Sequence, residues 1–324
     1  CRQVLAFGSP GVVAFDFNET GLFDLEADLT RRFPDRRIDV VIGDVRDAGS
    51  LHRAFDRFHP SVVYHAAAYK HVPMMEAHPA EAAKVNVLGT RNTLNEAARC
   101  GCEAFVLIST DKAVNPSSVM GATKRVAENV VQAQSEHRPR SIAVRFGNVL
   151  GSRGSVLTTF QMQVEGRHPV TVTDPEMRRY FMVTSEAVQL VLQASVIGTT
   201  GDVLVLDMGE PIEIVDLARD VIRFYGFEPD VDIPIVFTGS RPGEKLYEDL
   251  FTDEEGREAT THERVFVAPL ERPTASWSGG FAALEAAALD GDDEGVIEAL
   301  CKLVPSYRVT AQEEQPASGT EQGT

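Results

Sequence analysis

The chain has 324 residues, enough for one large domain or two modest ones. Its formal net charge of −17 argues against nucleic acid or an anionic membrane as a partner, because both bind clustered cations. The four cysteines, at positions 1, 100, 102 and 301, lack disulfide or zinc spacing, and no apolar run approaches the roughly 20 residues of a membrane span. We expect reduced thiols, no metal site and a cytoplasmic location.

Strands and helices alternate along the first half of the chain. Strands are predicted at 12–15, 38–42, 61–65, 105–108 and 142–146, and helices at about 1–7, 19–33, 50–58, 79–99 and from 117 to about 136. This alternation predicts an α/β fold, a Rossmann-like doubly wound parallel sheet within residues 1–167.

Acidic residues follow the first two strands. Asp16 is expected to accept hydrogen bonds from the adenosine ribose of a dinucleotide, although it also suits a helix cap near Asn18. Asp44 and Val45 are expected at the adenine ring, although Asp44 also suits a turn beside Gly43. Because no arginine adjoins Asp16, NAD is expected in preference to NADP.

The glycine-rich phosphate loop should precede such an acid by about 20 residues. Upstream of Asp16 the chain offers only Gly8 and Gly11, which follow the first predicted helix instead of opening it. We therefore expect the chain to be a fragment without its first strand and phosphate loop, and to be catalytically inactive and poorly folded on its own. The absent strand would lie between the 12–15 and 61–65 strands.

The stretch around residue 110 carries the strongest functional signal. Residues 105–108 form a buried apolar strand, and Ser109, Thr110, Asp111 and Lys112 follow at its carboxyl end, where open α/β sheets bind ligands. After a break at Asn115-Pro116, a helix capped by Ser117 or Ser118 places Met120 and Lys124 on one face. A hydroxyl, an acid and two amines therefore converge on one crevice.

Ser-Thr-Asp-Lys-Ala-Val-Asn-Pro (109–116) followed by Met-Gly-Ala-Thr-Lys (120–124) resembles the nucleotide-sugar 4,6-dehydratases of the extended short-chain dehydrogenase superfamily. More narrowly, residues 1 to about 307 resemble the capsular-polysaccharide branch, the UDP-N-acetylglucosamine 4,6-dehydratase-like proteins. The resemblance implies NAD-dependent conversion of a UDP-hexosamine to a 4-keto-6-deoxy sugar. It also implies membrane helices ahead of this region in full-length relatives of the branch.

In that reaction NAD takes hydride from carbon 4, a base removes the carbon 5 proton, water leaves carbon 6, and the hydride returns to carbon 6. The resemblance implies that Lys112 is the base and Asp111 the acid. Free lysine titrates near 10.4 and aspartate near 3.9. Burial shifts both toward neutrality and their mutual attraction opposes it, so desolvation must win for these roles.

One residue departs from the superfamily pattern. Met120 stands where the superfamily usually has a tyrosine that acts as the base on the 4-hydroxyl. The membrane-linked branch of the resembling family has the same methionine at this position. The carbon 4 base is left open between Thr110, a water and a second use of Asp111. Lys124 is implied to bind the nicotinamide ribose.

Further site residues follow from the resemblance. Cofactor contacts are implied for Ala66, Ala67, Ala68, Ser109, Phe146 and Gly147, and substrate contacts for Lys70, His71 and Asn148. Asn86 is grouped with the cofactor contacts; it either bonds the main chain of the 105–108 strand, as the resemblance implies, or is solvated. Ser152 and Arg153 lie in a donor-rich turn suited to anions.

Shorter elements from about residue 168 predict a substrate-binding lobe at 168–305, before a disordered acidic tail at 306–324. Strands are predicted at 170–173, 203–207 (rejoining the main sheet) and 235–237, and helices at 185–195, 214–225 and, as a pair, within 282–303. Thr171 and Arg179 are expected substrate contacts. Arg241 suits a diphosphate and, by resemblance, Glu244 the ribose, unless 241–245 is a plain surface turn.

Two other functions stay open. A nucleotide-sugar 4-epimerase needs the redox step without elimination, and Asp111-Lys112 argues against it. A non-catalytic nucleotide-binding module is favoured by Met120 and the absent loop. A homo-oligomer is compatible with the sequence, which fixes neither the sugar nor the stereochemistry at carbon 5.

Overall fold

A computed structural model of the chain describes residues 1–134, 139–152, 154–252, 256–270, 272–273 and 277–307. Within these ranges the strands are β1 (Gly11–Asp16), β2 (Arg37–Ile42), β3 (Val62–His65), β4 (Ala104–Ile108), β5 (Arg140–Arg145), β6 (Asn148–Leu150), β7 (Val170–Val172), β8 (Arg178–Arg179), β9 (Phe181–Val183), β10 (Val203–Leu206), β11 (Ile212–Glu213), β12 (Ile235–Phe237), β13 (Glu258–Ala259) and β14 (Val265–Ala268). The helices are α1 (Arg2–Ala6), α2 (Glu19–Arg32), α3 (Ala48–Phe58), α4 (Val72–Glu76), α5 (Pro79–Ala82), α6 (Gly89–Arg99), α7 (Val119–Gln132), α8 (Val156–Glu165), α9 (Thr184–Ile197), α10 (Ile214–Phe224), α11 (Trp277–Asp290) and α12 (Asp293–Leu303).

The main sheet has six strands in the order β13-β14-β10-β5-β4-β3. Strands β3, β4, β5 and β10 run parallel, and β14 is antiparallel to both of its neighbours. One face is covered by an apolar cluster that includes α7, α11 and α12, and the other by a cluster that includes α9. This doubly covered, mainly parallel sheet confirms the predicted α/β fold class.

Strands β1 and β2 form a separate parallel pair. Among the described residues β3 pairs only with β4, and β1 only with β2, so each presents an unpaired edge. Some apolar side chains on these strands are more than a third exposed, with Val13 at 38% and Val62 at 40%. The sequence predicted an unpaired edge at this position.

The C-terminal half adds strands to the main sheet and forms a further apolar cluster. Strand β10 rejoins the main sheet beside β5, as the sequence predicted, and β14 adds an antiparallel strand that it did not predict. A third apolar cluster joins α8, β7 and α10 into the smaller lobe. No helix among the described residues has the length and apolar character needed to cross a bilayer.

The helix predicted at 79–99 is interrupted. It consists of α5, a π-helical segment from Ala83 to Leu88, and α6. A π-helical turn carries one residue more than an α-helical turn and is frequent at functional sites. Asn86 lies in this segment and is fully buried.

Candidate active site

The carboxyl end of β4 positions the central side chains. The main chain beyond β4 stays bonded toward β5, since Ser109 N donates to Val144 O (2.8 Å) and Asp111 N to Phe146 O (3.1 Å). A single 3₁₀ turn, Asp111–Ala113, follows with Thr110 as its N-cap. These contacts fix Asp111 and Lys112 at the end of the sheet.

Asp111, Lys112 and Glu248 form a buried charged cluster. Lys112 Nζ donates to Asp111 Oδ1 (2.9 Å) and, more weakly, to Asn148 Oδ1 (3.5 Å), and it lies 3.7 Å from Glu248 Oε1. The Asp111 side chain is fully buried, that of Glu248 is 4% exposed, and that of Lys112 is 20% exposed. Asp111 Oδ2 and Glu248 Oε2 are buried with no hydrogen-bond partner among the described residues. The sequence did not predict Glu248.

Electrostatics in this cluster favour the ammonium form of Lys112. Burial acts to lower the pKa of Lys112, but the carboxylates of Asp111 and Glu248 outweigh it, and the net pKa is raised. For Lys112 to act as a base, burial would have to outweigh the attraction of the carboxylates. With these residues alone it does not. Burial raises the pKa of Glu248, and the charge of Asp111 acts in the same direction while Lys112 opposes it.

Gly147 lets the neighbouring strand end approach the acid. A Cβ at this position would lie 3.2 Å from Asp111 Oδ2 and 2.9 Å from Tyr180 Cβ. Phe146 accepts from the main chain of Asp111, and Asn148 begins β6. The sequence-predicted residues 146–148 therefore line the crevice next to Asp111.

Helix α7 carries the second lysine. Ser118 caps the helix by accepting from Gly121 N, and Met120 is buried in the apolar core. Lys124 Nζ donates to Ile108 O (2.7 Å), and burial, opposed by Glu128, lowers the pKa of Lys124 to about 8. Lys124 thus lies against the end of β4.

A buried ionic network lies beneath the site. Ser109 Oγ donates to Glu128 Oε1 (2.6 Å), which also accepts from Arg145 Nε (2.8 Å), while Arg145 Nη2 donates to Glu128 Oε2 (2.8 Å). Burial acts to raise the pKa of Glu128, but its arginine partners prevail and lower it to about 2. The hydroxyl of Ser109, a predicted cofactor contact, is thus bonded to the network.

The two acids predicted for the cofactor make local contacts. Asp16 is exposed at the end of β1, and its Oδ1 accepts from the main chain of Asn18, which caps α2. Both oxygens of Asp44 accept from the guanidinium of Arg46, and Oδ1 also accepts from Arg46 N, as the turn alternative predicted. That ion pair lowers the pKa of Asp44, against a smaller effect of burial. Val45 is buried against Gly89.

The segment after β3 is held by Asn86. Its Oδ1 accepts from Tyr69 N (2.8 Å), and its Nδ2 donates to Tyr69 O (3.1 Å) and to Thr123 Oγ1 (3.0 Å). Both sequence alternatives for Asn86 are therefore wrong: the side chain is neither solvated nor bonded to β4. The reason is the π-helical segment, which carries Asn86 against the 66–71 stretch.

The other residues of that stretch face outward. Ala66 and Ala67 are exposed and Ala68 is half-buried. Lys70 is exposed, and partial burial of its amine lowers its pKa. His71 lies close to the 151–154 turn, because a Cβ at Gly154 would be 2.9 Å from its Cε1. Ser152 belongs to this turn, and Arg153 lies outside the described residues.

The substrate contacts expected in the second lobe differ in setting. The guanidinium of Arg179 donates to the carbonyls of Arg178, Lys245 and Leu246, so it anchors the 245–248 segment. Arg241 is exposed, and Glu244 has one buried oxygen without a partner among the described residues. Thr171 is exposed and accepts from Gln163.

The 241–248 segment reaches the site through the break after Lys112. Ser117 Oγ donates to Gly243 O (2.9 Å), and Lys245 Nζ donates to Val114 O (3.0 Å). Gly243 has φ +78° and packs where a Cβ would be 2.9 Å from Ser118 Cβ, so only glycine suits this contact. This docking places Glu248 beside Lys112.

The chain is similar to several known proteins. Residues 1–270 match a family model described as polysaccharide biosynthesis protein. The chain is 48% identical over 269 residues to the capsular polysaccharide biosynthesis protein CapD of Staphylococcus aureus, covering 82% of this chain and 45% of CapD. It is 36% identical to a UDP-glucose 4-epimerase of Rickettsia felis, covering 68% and 63% of the two chains.

Among solved structures, Pen from Bacillus thuringiensis superposes with a TM-score of 0.75 at 31% identity, covering 83% of this chain and 84% of that one. DesIV, a dTDP-glucose 4,6-dehydratase from Streptomyces venezuelae crystallised with NAD, has a TM-score of 0.67 at 20% identity and covers 94% of each chain. The likeness to DesIV shows the fold alone. The chain spans less than half the length of CapD.

Proposed function

We propose that this chain, which belongs to the polysaccharide biosynthesis protein family, dehydrates a UDP-hexosamine to a 4-keto-6-deoxy sugar. The first choice of substrate is UDP-N-acetylglucosamine. The product would serve the synthesis of a surface polysaccharide. The observation that carries the proposal is the 2.9 Å hydrogen bond between Lys112 Nζ and a fully buried Asp111 carboxylate whose second oxygen is unpaired among the described residues.

The residues at this edge suit NAD. Asp16 is exposed at the end of β1 for a ribose, and the exposed Ala66 and Ala67 leave room for close approach of the dinucleotide. Lys124 uses one N–H on Ile108 O, and an ammonium has three, so two stay available for a ribose. When bound, NAD would accept hydride from carbon 4 and return it to carbon 6.

The Lys112–Asp111 pair can supply a base and an acid together. Transfer of one proton from Nζ to Oδ1 along their hydrogen bond converts the ammonium and carboxylate into an amine and a carboxylic acid. The amine then takes the carbon 5 proton, and the acid gives its proton to the carbon 6 hydroxyl, which leaves as water. The ion pair is restored at the end of the elimination, so its protons balance. A bound sugar that excludes water favours the neutral pair.

Incubating the chain, completed by an upstream strand and a glycine-rich phosphate loop, with NAD and UDP-N-acetylglucosamine tests the proposal. The expected product has lost one water by mass and shows a 6-methyl group by NMR. An isomer of unchanged mass would instead identify a 4-epimerase, the function printed for the Rickettsia relative. Binding without turnover would favour a non-catalytic module.

The assignment of Lys112 has its own readout. Lys112→Ala should abolish entry of solvent deuterium at carbon 5 while NAD binding persists, because Lys124 and Asp16 are unchanged. Normal deuterium entry in this variant would remove Lys112 from the role.

A further inference from the structure

We propose that Glu248 is a positioning residue that holds the Lys112 ammonium in place and sets the pH at which Lys112 loses its proton to solvent. The consequence for catalysis rests on the proposed function. The effect of Glu248 on the pKa of Lys112 can be measured without turnover. Glu248 acts through Lys112, and neither the family resemblance nor the predicted sites included it.

The geometry around Lys112 carries the argument. Nζ lies between two buried carboxyls, hydrogen-bonded to Asp111 Oδ1 at 2.9 Å and 3.7 Å from Glu248 Oε1. A carboxylate within about 4–6 Å favours the charged form of an amine, and burial weakens screening of that attraction by solvent. Glu248 therefore holds the ammonium in place and opposes the loss of its proton.

Glu248 is held by few contacts that would stabilise its carboxylate form over its protonated form. Its Oε2 is buried without a partner among the described residues, and its other oxygen makes no contact shorter than the ionic distances to Lys112 and Arg179 (3.8 Å). Arg179 donates to three main-chain carbonyls, so it offers Glu248 charge without a close hydrogen bond. A carboxyl in this setting is easily protonated, and once neutral it no longer stabilises the ammonium.

The charged groups that face the pair are few. Asp111, Glu248 and Arg179 act on Lys112, and Lys112, Asp111, Arg179 and Lys245 act on Glu248. Both arginine and lysine favour the Glu248 carboxylate, whereas Asp111 and burial disfavour it. Removing the Glu248 charge leaves Asp111 as the carboxylate that supports the ammonium.

Competitive labelling with acetic anhydride, read at Lys112 by mass spectrometry across pH, measures its pKa without turnover. Glu248→Gln should lower the pKa of Lys112 by about one unit or more. Glu248→Asp, which keeps the charge, and Asp249→Asn, which removes the exposed neighbouring charge, should leave it close to wild type. Glu248→Met removes the same charge with a similar length and must reproduce the shift. Thermal melting confirms that each variant is folded.

Deuterium entry at carbon 5 provides the second measurement. The alkaline limb of its pH profile, at which Lys112 loses to solvent the proton that it should pass to Asp111, should move to lower pH in Glu248→Gln by the same amount as the labelling pKa. An unchanged labelling pKa in both Glu248→Gln and Glu248→Met would overturn the inference even if the sugar is dehydrated. A shifted pKa with no deuterium entry in wild type supports the role of Glu248 and overturns the dehydratase proposal.

Discussion

The six-stranded sheet and the β1–β2 pair hold their polar groups in different ways. In the six-stranded sheet, β4 is almost fully buried, and the site at its end rests on the buried Ser109, Glu128 and Arg145 network. In the β1–β2 pair no strand residue is fully buried, and the acids at its edge are held by partners two residues away. The Asp111–Lys112 site at the end of β4 is therefore preorganised by contacts between residues distant in sequence. The predicted cofactor residues Asp16 and Asp44, at the ends of β1 and β2, are held by local turns.

The largest expected effect is a difference in the stability lost when an ion pair is removed from the six-stranded sheet or from the β1–β2 pair. Glu128→Ala should cost about 3–5 kcal/mol in the free energy of unfolding, because it leaves Arg145 buried without its carboxylate. Arg37→Ala, which removes the exposed Arg37–Asp39 pair on β2, should cost less than about 1 kcal/mol. Urea unfolding measures both. Similar costs for the two variants would erase the distinction.

A pH dependence follows from His65 at the end of β3. Burial, assisted by the charge of Lys124, lowers the pKa of His65 to about 3 from an unfolded value near 6.5. The unfolded chain thus binds more protons between these values, and stability falls as the pH falls through this window. The His65 contribution should be about 2 kcal/mol lower at pH 5 than at pH 7.

The variant His65→Phe should remove this part of the slope in unfolding experiments, since phenylalanine cannot titrate. His168→Gln, at an exposed histidine of the second lobe, should leave the slope as in wild type. An unchanged slope in His65→Phe would show that the histidine titrates normally in the folded state.

A loss of similar size is expected from Asn86→Ala. Three hydrogen bonds disappear and the main chain of Tyr69 loses its partners, which should cost about 2–3 kcal/mol. Asn92→Ala is the matched control, because Asn92 is partly buried and makes one bond, to Val45 O, worth about 1 kcal/mol. Thermal melting of both decides whether the 66–71 segment is held as tightly as the contacts indicate.

The smallest effect concerns the local β1–β2 end. Arg2, Arg31 and Arg32 all bond to Asp28, so none of them is placed to receive a 2′-phosphate beside Asp16. Binding should favour NAD over NADP by about tenfold, or ~1.4 kcal/mol. Titration calorimetry with each cofactor measures the ratio. Tighter binding of NADP would mean that one of these arginines leaves Asp28.

Sequence reasoning succeeded where the signal is local. The apolar run before Ser109 predicted β4, and the polar residues directly after it predicted the position of Asp111 and Lys112. It failed for Glu248, which follows Lys112 by more than a hundred residues and arrives through the docking of Gly243 and Lys245 on the 114–118 break. No periodicity records such a contact.

Glu128 was not predicted, and the partner of Asn86 was predicted wrongly, for a related reason. Both are polar residues inside helices, where the ordinary expectation is a solvated face, and both are fully buried. What makes burial tolerable is a partner distant in sequence, Arg145 for Glu128 and Tyr69 for Asn86. Polar residues at buried helix positions are thus visible only once the packing is known.

The π-helical segment has a consequence for how this protein can change over evolution. A π-helical turn accommodates one residue more than an α-helical turn, so deleting one residue between Ala83 and Leu88 would restore regular α-helical winding and remove the bulge that carries Asn86. Asn86 would then point away from Tyr69, although no functional side chain had been replaced. Insertions and deletions here should therefore be far less tolerated than substitutions, a constraint that a position-by-position comparison of amino acids would not detect.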